Sequence, residues 1–305
     1  MTTSGALIVL GGATGNLGQR IARSLIDRGA SVRLRVRRGS APDALDDLRR
    51  RGATIATADF SQPSELAAAC AGASCVVSGL AGLRSVILDA QTRLLDAAVE
   101  ARVPRFIPSD YSTDFTKLAP GSNRNLDPRR EFHARLASAP IAATSIFNGA
   151  FADMLTGQAP IILFKRKRVL YWGSADVRMD FTTIDDVARF TAAAALDPVT
   201  PRFLRVAGDE LSARGLAKVA STVSGTDVRL FRAGGLGALK GMITVMRTLF
   251  PAKGVLYPPW QGMQYLHNML SGDAKLHPLD NGRYPDIRFT PVAQVLAGHV
   301  RGERR

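Results

Sequence analysis

Cysteine, histidine and aromatic side chains are all scarce in this 305-residue chain: two Cys, four His, and 7% Phe, Trp and Tyr. Two cysteines, Cys70 and Cys75, cannot staple a small fold, and their spacing is not that of a metal knuckle. They read as a helix-end core residue and a strand residue, which points to a reducing cytoplasm, and no metal site is expected. Apolar runs long enough for a membrane are lacking as well. The charge-free stretch Leu136–Ala152 contains Pro140, Asn148 and several Ser and Thr, and is too short and polar to cross a bilayer. Met1-Thr-Thr-Ser4 lacks the basic start of a signal peptide, so no membrane partner is expected. With 46% apolar residues and no glycine period, disorder and collagen-like repeats are excluded.

Acids are the minority charge, 26 against 40 Lys and Arg, for a net charge of +14. That balance suits nucleic acid, an anionic surface or an anionic small molecule, and equally a solvated arginine-rich face. The basic clusters Lys165-Arg-Lys-Arg168 and Arg301–Arg305 come with no helix-turn-helix or finger pattern. A small-molecule substrate, not nucleic acid, is therefore the expected partner.

What is present is strand–helix alternation. Ala6–Leu10 is a continuous apolar run, as for a parallel strand covered on both faces. Strands follow at Ser31–Val36, Thr54–Thr57, Cys75–Ser78, Arg105–Pro108 and Ile141–Phe147. Helices are expected near residues 17–28, from Pro63 to Cys70, from Val86 to Ala101, and from Asp127-Pro128 (an N-cap with proline behind it) through Leu136. The alternation implies a doubly wound parallel sheet, the Rossmann fold. The first domain is placed at 1–150, rejoined by a segment near 180–200. The rest, 151–305, is a smaller C-terminal α/β substrate domain, with a hairpin around Lys165–Arg168 and a helix capped by Thr183.

Directly between the first strand and the first helix stands Gly12-x-x-Gly15-x-x-Gly18. Glycine is needed where the chain turns sharply, where backbone approaches a pyrophosphate, and where helix meets strand. Gly12, Thr14 and Gly15, with Asn16, Leu17 and Gly18 at the helix N-terminus, are the candidate phosphate contacts. NAD-specific sites carry an acid about 20 residues beyond such a turn. Here Arg37 and Arg38 occupy that place. Guanidinium groups fork onto a 2′-phosphate that a carboxylate would repel, so NADP(H) is the expected cofactor; the other reading is solvated arginines at a strand end. Between Arg20 and Arg51 ten arginines face four acids, which suits steering of an anionic cofactor. Ligands of open sheets lie at the carboxyl ends of strands, which adds Asp59 (for the adenine amino group), Ser78, Gly79 and Leu80.

Gly-Ala-Thr-Gly-Asn-Leu-Gly at 12–18, Pro104-Arg-Phe-Ile-Pro-Ser-Asp110, Thr144-Ser-Ile-Phe-Asn-Gly149, Asp180-Phe-Thr-Thr-Ile-Asp-Asp-Val-Ala188 and Tyr284-Pro-Asp286 together resemble a known family. It is the NmrA-like and isoflavone-reductase-like branch of the atypical short-chain dehydrogenases/reductases. The resemblance implies an NADPH-binding domain with a substrate domain behind it. Members are reductases of phenylpropanoid-type, quinone or other carbonyl substrates, or non-catalytic sensors of the nicotinamide pool. It implies nicotinamide contacts for Asn148, Gly149 and Phe151, and puts Ser109, Asp110 and Tyr111 beside the reacting centre. Asp110 is equally a loop cap by type.

Two departures stand out. The Tyr-x-x-x-Lys pair of ordinary short-chain dehydrogenases is absent, since Phe115 follows Tyr111 by four. The lysine that isoflavone-type reductases carry on the helix before strand six is replaced by Arg129, which stays protonated but can clamp an anion. His133, one turn on, is either a proton donor or a surface helix histidine. Tyr257, Trp260 and Tyr265 are pocket-lining or core aromatics. The chain thus reads as an NADPH-dependent oxidoreductase acting on a small carbonyl, enone or quinone-like substrate; the alternative is a non-catalytic NADP(H)-sensing regulator.

Overall fold

The computed structural model describes residues 5–37, 39 and 43–303, apart from the side chains of residues 43, 44 and 303. Its first half alternates as follows: β1 (Leu7–Gly11), α1 (Asn16–Asp27), β2 (Ser31–Val36), α2 (Asp43–Arg50), β3 (Thr54–Thr57), α3 (Pro63–Cys70), β4 (Cys75–Ser78), α4 (Gln91–Glu100), β5 (Arg105–Ile107), α5 (Asp127–Ala137) and β6 (Ala142–Ala143). These six strands form one parallel sheet in the order β3-β2-β1-β4-β5-β6. That is the doubly wound order, and its reversal between β1 and β4 leaves a crevice at their carboxyl ends. The central strands are apolar because helices cover both faces: Ile8, Val9, Leu10, Val76, Val77 and Phe106 are fully buried. Phe106 packs on Phe132 of α5, ring centroids 6.2 Å apart.

Several elements differ from the sequence expectation. Helix α2 is an addition to it, burying Leu45 and Leu48 and exposing most of its charged residues. A π-helical turn, Ser85–Ala90, precedes α4. The run expected as one sixth strand is two. Thr144 still bonds Phe106 of β5, but Ser145 donates to Arg202, and β7 (Ser145–Phe147) pairs instead with β12 (Phe203–Arg205).

The chain packs as two units. The first holds the residues up to Tyr111, Pro128–Ile146 and Val187–Leu204; the second holds Ser112–Asp127, Phe147–Asp186 and the remainder from Arg205. This differs from a cut at residue 150: the second unit draws in 112–127, and it is comparable in size to the first, not smaller. Its short strands are β8 (Ala150–Phe151), β9 (Ile162–Leu163), β10 (Arg168–Trp172), β11 (Met179–Thr182), β13 (Asp209–Leu211) and β14 (Arg229–Gly234). They form two three-stranded sheets, β13-β11-β8 and β14-β10-β9. Helices α7 (Ala213–Ser224), α8 (Leu236–Leu249), α9 (Pro259–Leu270) and α10 (Val292–Glu303) belong to the same unit. The core of this unit includes Val169, Phe181, Leu216, Leu239 and Val292. Helix α6 (Ile184–Leu196) carries the chain from the second unit back to the first, and Thr183 Oγ1 caps it by accepting from the Asp186 amide at 3.1 Å. The basic Lys165–Lys167 segment forms an exposed turn between β9 and β10.

Among the described residues no helix is long and apolar enough to cross a membrane, and no group of three or more His, Cys, Asp or Glu is arranged to hold a metal ion. Both cysteines are buried free thiols. Burial pushes Cys70 up to about 11 and Cys75 up to about 12. Native protein at pH 8 is therefore expected to react with iodoacetamide on the order of a hundredfold more slowly than urea-unfolded protein. Mass spectrometry of alkylated peptides checks this, and fast native labelling of either thiol contradicts it.

Candidate functional site

The turn after β1 is built by backbone contact. Gly12 takes φ +85°, and a Cβ there would meet the Gly79 carbonyl carbon and oxygen at 2.5 Å and the Leu80 amide at 2.8 Å. A Cβ on Gly18 would fall within the radius of the Gly12 carbonyl oxygen. The Gly79 amide donates to the Gly11 carbonyl at 2.8 Å, tying the end of β4 to the end of β1. Gly15 is different, since its Cβ would have only the Gly12 carbonyl oxygen at 3.4 Å for company. Here the chain is exposed: Thr14, Gly15 and Asn16 all face solvent.

Helix α1 starts without a side-chain cap and without an acid in its first turn. Its first internal bond runs from the Gln19 amide to the Gly15 carbonyl at 2.9 Å, so the amides of Asn16, Leu17 and Gly18 come before any intrahelical acceptor. The Asn16 carboxamide oxygen accepts from Arg20 Nε at 2.9 Å. An uncapped N-terminus, three glycines in contact and a buried Ser78 hydroxyl without a hydrogen-bond partner fit the pyrophosphate of a dinucleotide.

At the end of β2, Arg37 is exposed; Arg38 lies outside the described residues. The preceding arginine on the same strand face, Arg35, is the residue the sequence reading missed. It is 3% exposed, donates from Nη2 to the Ala58 carbonyl at 2.6 Å, and stacks 3.5 Å from the Phe60 ring centroid. Burial, and then the Arg37 charge, lower it to about 10. The period-two run Arg33, Arg35, Arg37 was the available signal. Asp59 is exposed, but its carboxylate accepts from the Ser61 amide at 2.8 Å, so part of its capacity is spent on the turn it begins.

A second group lies past β5. Ser109 is bound on three sides: its amide donates to Gln91 Oε1 (2.8 Å), its hydroxyl donates to the Leu80 carbonyl (2.6 Å), and its carbonyl accepts from Arg129 Nε (2.9 Å). Arg129 is thus a buried residue holding backbone. Asp110 is fully buried, and its Oδ2 lies 2.6 Å from both His133 Nε2 and Ser145 Oγ. Burial raises the Asp110 carboxyl, yet the His133 charge and hydrogen bond, the Ser145 hydroxyl and the Arg129 charge together hold it below the ordinary carboxylate range. Arg202 Nη1 donates to Ser145 Oγ at 2.6 Å. His133 is not the surface histidine that its helix context suggests; its side chain is 12% exposed. Asp110, likewise, is not a loop cap. Aspartate and serine approach the same imidazole nitrogen and the serine proton points to the aspartate, so this is not a hydrolytic triad. Tyr111 is buried beside Thr191, and burial raises its hydroxyl above the ordinary value.

Asn148, Gly149 and Phe151 belong to the second unit, where the Asn148 and Gly149 amides both donate to the Ser112 carbonyl, at 2.9 and 3.2 Å. Gly149 has φ +68°, and a Cβ there would collide with Asp180 backbone. Gly149→Ala is expected to destabilise the protein by about 2–3 kcal/mol, read as a lowered midpoint in urea. A midpoint equal to wild type contradicts it. The Asn148 Oδ1 atom is buried without a hydrogen-bond partner. Of the aromatics, Trp260 is core, donating from its indole to the Phe250 carbonyl at 2.9 Å; Tyr257 is exposed and Tyr265 half-buried.

A model of the NmrA-like family matches residues 4–251. Pinoresinol reductase 1 of Arabidopsis thaliana is 28% identical over 207 residues, 63% of this chain and 65% of that protein, so just under two thirds of that relative's length is spanned. Bifunctional pinoresinol-lariciresinol reductase 2 of Thuja plicata is 26% identical over 98% of this chain and 100% of its own. Among solved structures, AtPrR2 with NADP+ and (+)pinoresinol gives a TM-score of 0.82 at 21% identity, covering 96% of this chain and 98% of that one. The leucoanthocyanidin reductase–NADPH complex from Vitis vinifera gives 0.79 at 18%, covering 97% and 99%. At such identities the structures show a shared fold.

Proposed function

The chain belongs to the NmrA-like family, and from that premise we propose that it is an NADPH-dependent oxidoreductase acting on a small aromatic carbonyl, enone or quinone-like substrate. The observation that carries this is the glycine-lined turn under an uncapped helix N-terminus, followed by arginines where an NAD site carries an acid. The names of its relatives, pinoresinol and lariciresinol reductases, support both the reaction class and an aromatic substrate. NADPH, when bound, supplies the hydride, and the protein supplies orientation and polarisation.

Gly12, Thr14 and Gly15 with the amides of Asn16, Leu17 and Gly18 would hold the pyrophosphate. Arg37, with Arg38, would take the 2′-phosphate, and Asp59, Ser78, Gly79 and Leu80 the adenosine side. Ser109, Asn148, Gly149 and Phe151 remain the candidates for the nicotinamide half.

Reduction consumes a proton with each hydride. Arg129 cannot deliver one, because a guanidinium stays charged at working pH. Its role in this reading is a fixed positive charge that keeps Ser109 in place and Asp110 ionised. Tyr111, raised by burial, is a poor donor as well. His133, partly reached by solvent and paired with Asp110, is the group in this cluster suited to pass a proton. A compartment that keeps NADPH reduced and thiols unpaired, the cytoplasm, is the corresponding location.

Steady-state NADPH oxidation across a panel of quinones, enones and pinoresinol-type substrates tests the proposal. Turnover of at least one class is expected. Tight NADPH binding without any turnover would favour the regulatory reading instead. For the cofactor, Arg37→Gln is expected to weaken NADPH binding about 10- to 100-fold while leaving NADH affinity unchanged, the loss of a charge-assisted contact to the 2′-phosphate alone. Isothermal titration with both nucleotides reads this directly, and equal losses for the two would refute the assignment.

A further inference from the structure

We propose that Arg202 and Ser145, to which the reductase reading assigns no part, are positioning residues that force His133 to hold a proton on Nε2, leaving Nδ1 as the nitrogen through which protons come and go. The proposal rests on the reading above, in which His133 delivers the proton of the reduction. A guanidinium only donates. Ser145 Oγ, 2.6 Å from Arg202 Nη1, must therefore accept there, and its single hydrogen is left for Asp110 Oδ2, also 2.6 Å away. An ionised carboxylate only accepts, so the proton in the 2.6 Å contact between Asp110 Oδ2 and His133 must sit on Nε2. The longer 3.2 Å approach of Ser145 Oγ to the same nitrogen then joins two groups whose hydrogens both point at Asp110. The obligate donor at one end and the ionised Asp110 carboxylate at the other together fix every proton in the chain.

Without Arg202 a second arrangement opens. The Ser145 hydrogen could turn to a bare Nε2, with the displaced proton resting on Asp110 or Nδ1, and the ring would populate both forms. Phe203 supports the selected form sterically: its ring lies 4.6 Å from the Arg202 guanidinium and 6.0 Å from the His133 ring centroid, holding both planar groups. Charged groups facing the cluster include Asp110 itself, Arg202, and Arg129 from α5. A two-state ring would present the wrong nitrogen part of the time, which lowers turnover and leaves cofactor binding alone.

The chain has four histidines, so ring-nitrogen NMR of 15N-His protein is tractable, with His267, His277 and His299 assigned by single Gln substitutions. In wild-type protein with a neutral ring, His133 is expected to show a protonated Nε2 and a bare Nδ1. Arg202→Met is expected to give averaged shifts of the two nitrogens and a fall in kcat of about tenfold, part of the 10²–10⁴ a general acid supplies, with the KM for NADPH unchanged. Arg202→Lys keeps an obligate donor and is expected to retain the wild-type ring pattern, whereas Arg202→Gln, which can also accept, is expected to move it and preserves the test if the Met variant does not fold. A bare Nε2 in wild-type protein, or ring shifts unmoved in the variants that lose the obligate donor, overturns the proposal. Moved shifts with unchanged kcat overturn the positioning role and leave the reductase reading standing. Wild-type protein that reduces nothing refutes that reading, while the ring spectra still support or overturn the proton arrangement.

Discussion

Gly18→Ala is expected to weaken NADPH binding by on the order of a hundredfold and to cost about 2–4 kcal/mol of stability. The two losses have one cause. A methyl at residue 18 would run into the Gly12 carbonyl oxygen, and would also lie 2.8 Å from the Gly12 carbonyl carbon and 3.1 Å from Ala13 Cα. None of these atoms belongs to a side chain that can rotate away. Gly12 has little room to shift either, because its own backbone also packs closely on Gly79 and Leu80. The helix must therefore move outward, carrying the amides of Asn16 and Leu17 from the phosphate position, and a displacement near 1 Å is enough to lose charge-assisted bonds. Gly15→Ala is the control. Residue 15 has room for a methyl and lies at the exposed mouth of the turn, so that variant should melt like wild type and still bind NADPH more weakly. Thermal melts without ligand and a fluorescence titration with NADPH separate the two. A Gly18→Ala protein with wild-type melting would show that the turn tolerates what its backbone contacts forbid.

The same locality explains what could be read in advance. The strand, glycine turn and helix from Leu7 to Asp27 are consecutive, and each signals itself within a few residues. Gly12, Gly15 and Gly18 were visible because the chemistry there is backbone chemistry. The second unit hides itself for the opposite reason. Strand β8 has two residues and finds its partner in β11, while β10 pairs with β14 some sixty residues on. Periodicity in two to six residues says little, and pairing at that distance leaves no local mark. His133 shows the limit at the candidate site. Its helix neighbours Glu131, Ala134 and Arg135 are exposed, so by local context it reads as a surface residue. What buries it is Asp110 and Ser145, brought together from strand ends by the sheet order. Arg202 is still further removed, and no motif contains it. Charge pairing across a fold is set by topology, which a single sequence carries only indirectly.

Asp110→Asn is expected to destabilise the protein by about 3–5 kcal/mol at pH 7, because removing one partner leaves buried charge uncompensated. The substitution is nearly isosteric, so the loss is electrostatic. A carboxamide turned with its NH2 toward Oδ2's partners would face the Ser145 hydroxyl hydrogen and the His133 ring, both of which donate to the aspartate. Turned the other way, it still leaves Arg129 and Arg202 without a neutralising charge at Asp110. The pH dependence gives a second reading. Burial alone would raise the Asp110 carboxyl, but His133, Ser145 and Arg129 hold it below its ordinary value in the folded state. A lowered folded value means that folding favours the ionised form. The stabilisation is then complete above the unfolded carboxylate value of about 3.9, and is lost as pH falls through the lower folded value. The carboxylate's own share of the difference between wild-type protein and the variant should therefore be present at about pH 5 and above and be lost only in strong acid. Urea denaturation at pH 7, 5 and 3 measures this, with unchanged slopes certifying a two-state comparison. A difference under about 1 kcal/mol at pH 7 would mean the cluster is solvated in a way its burial does not allow, and a difference that vanishes by pH 5 would mean that the carboxyl is raised, not lowered.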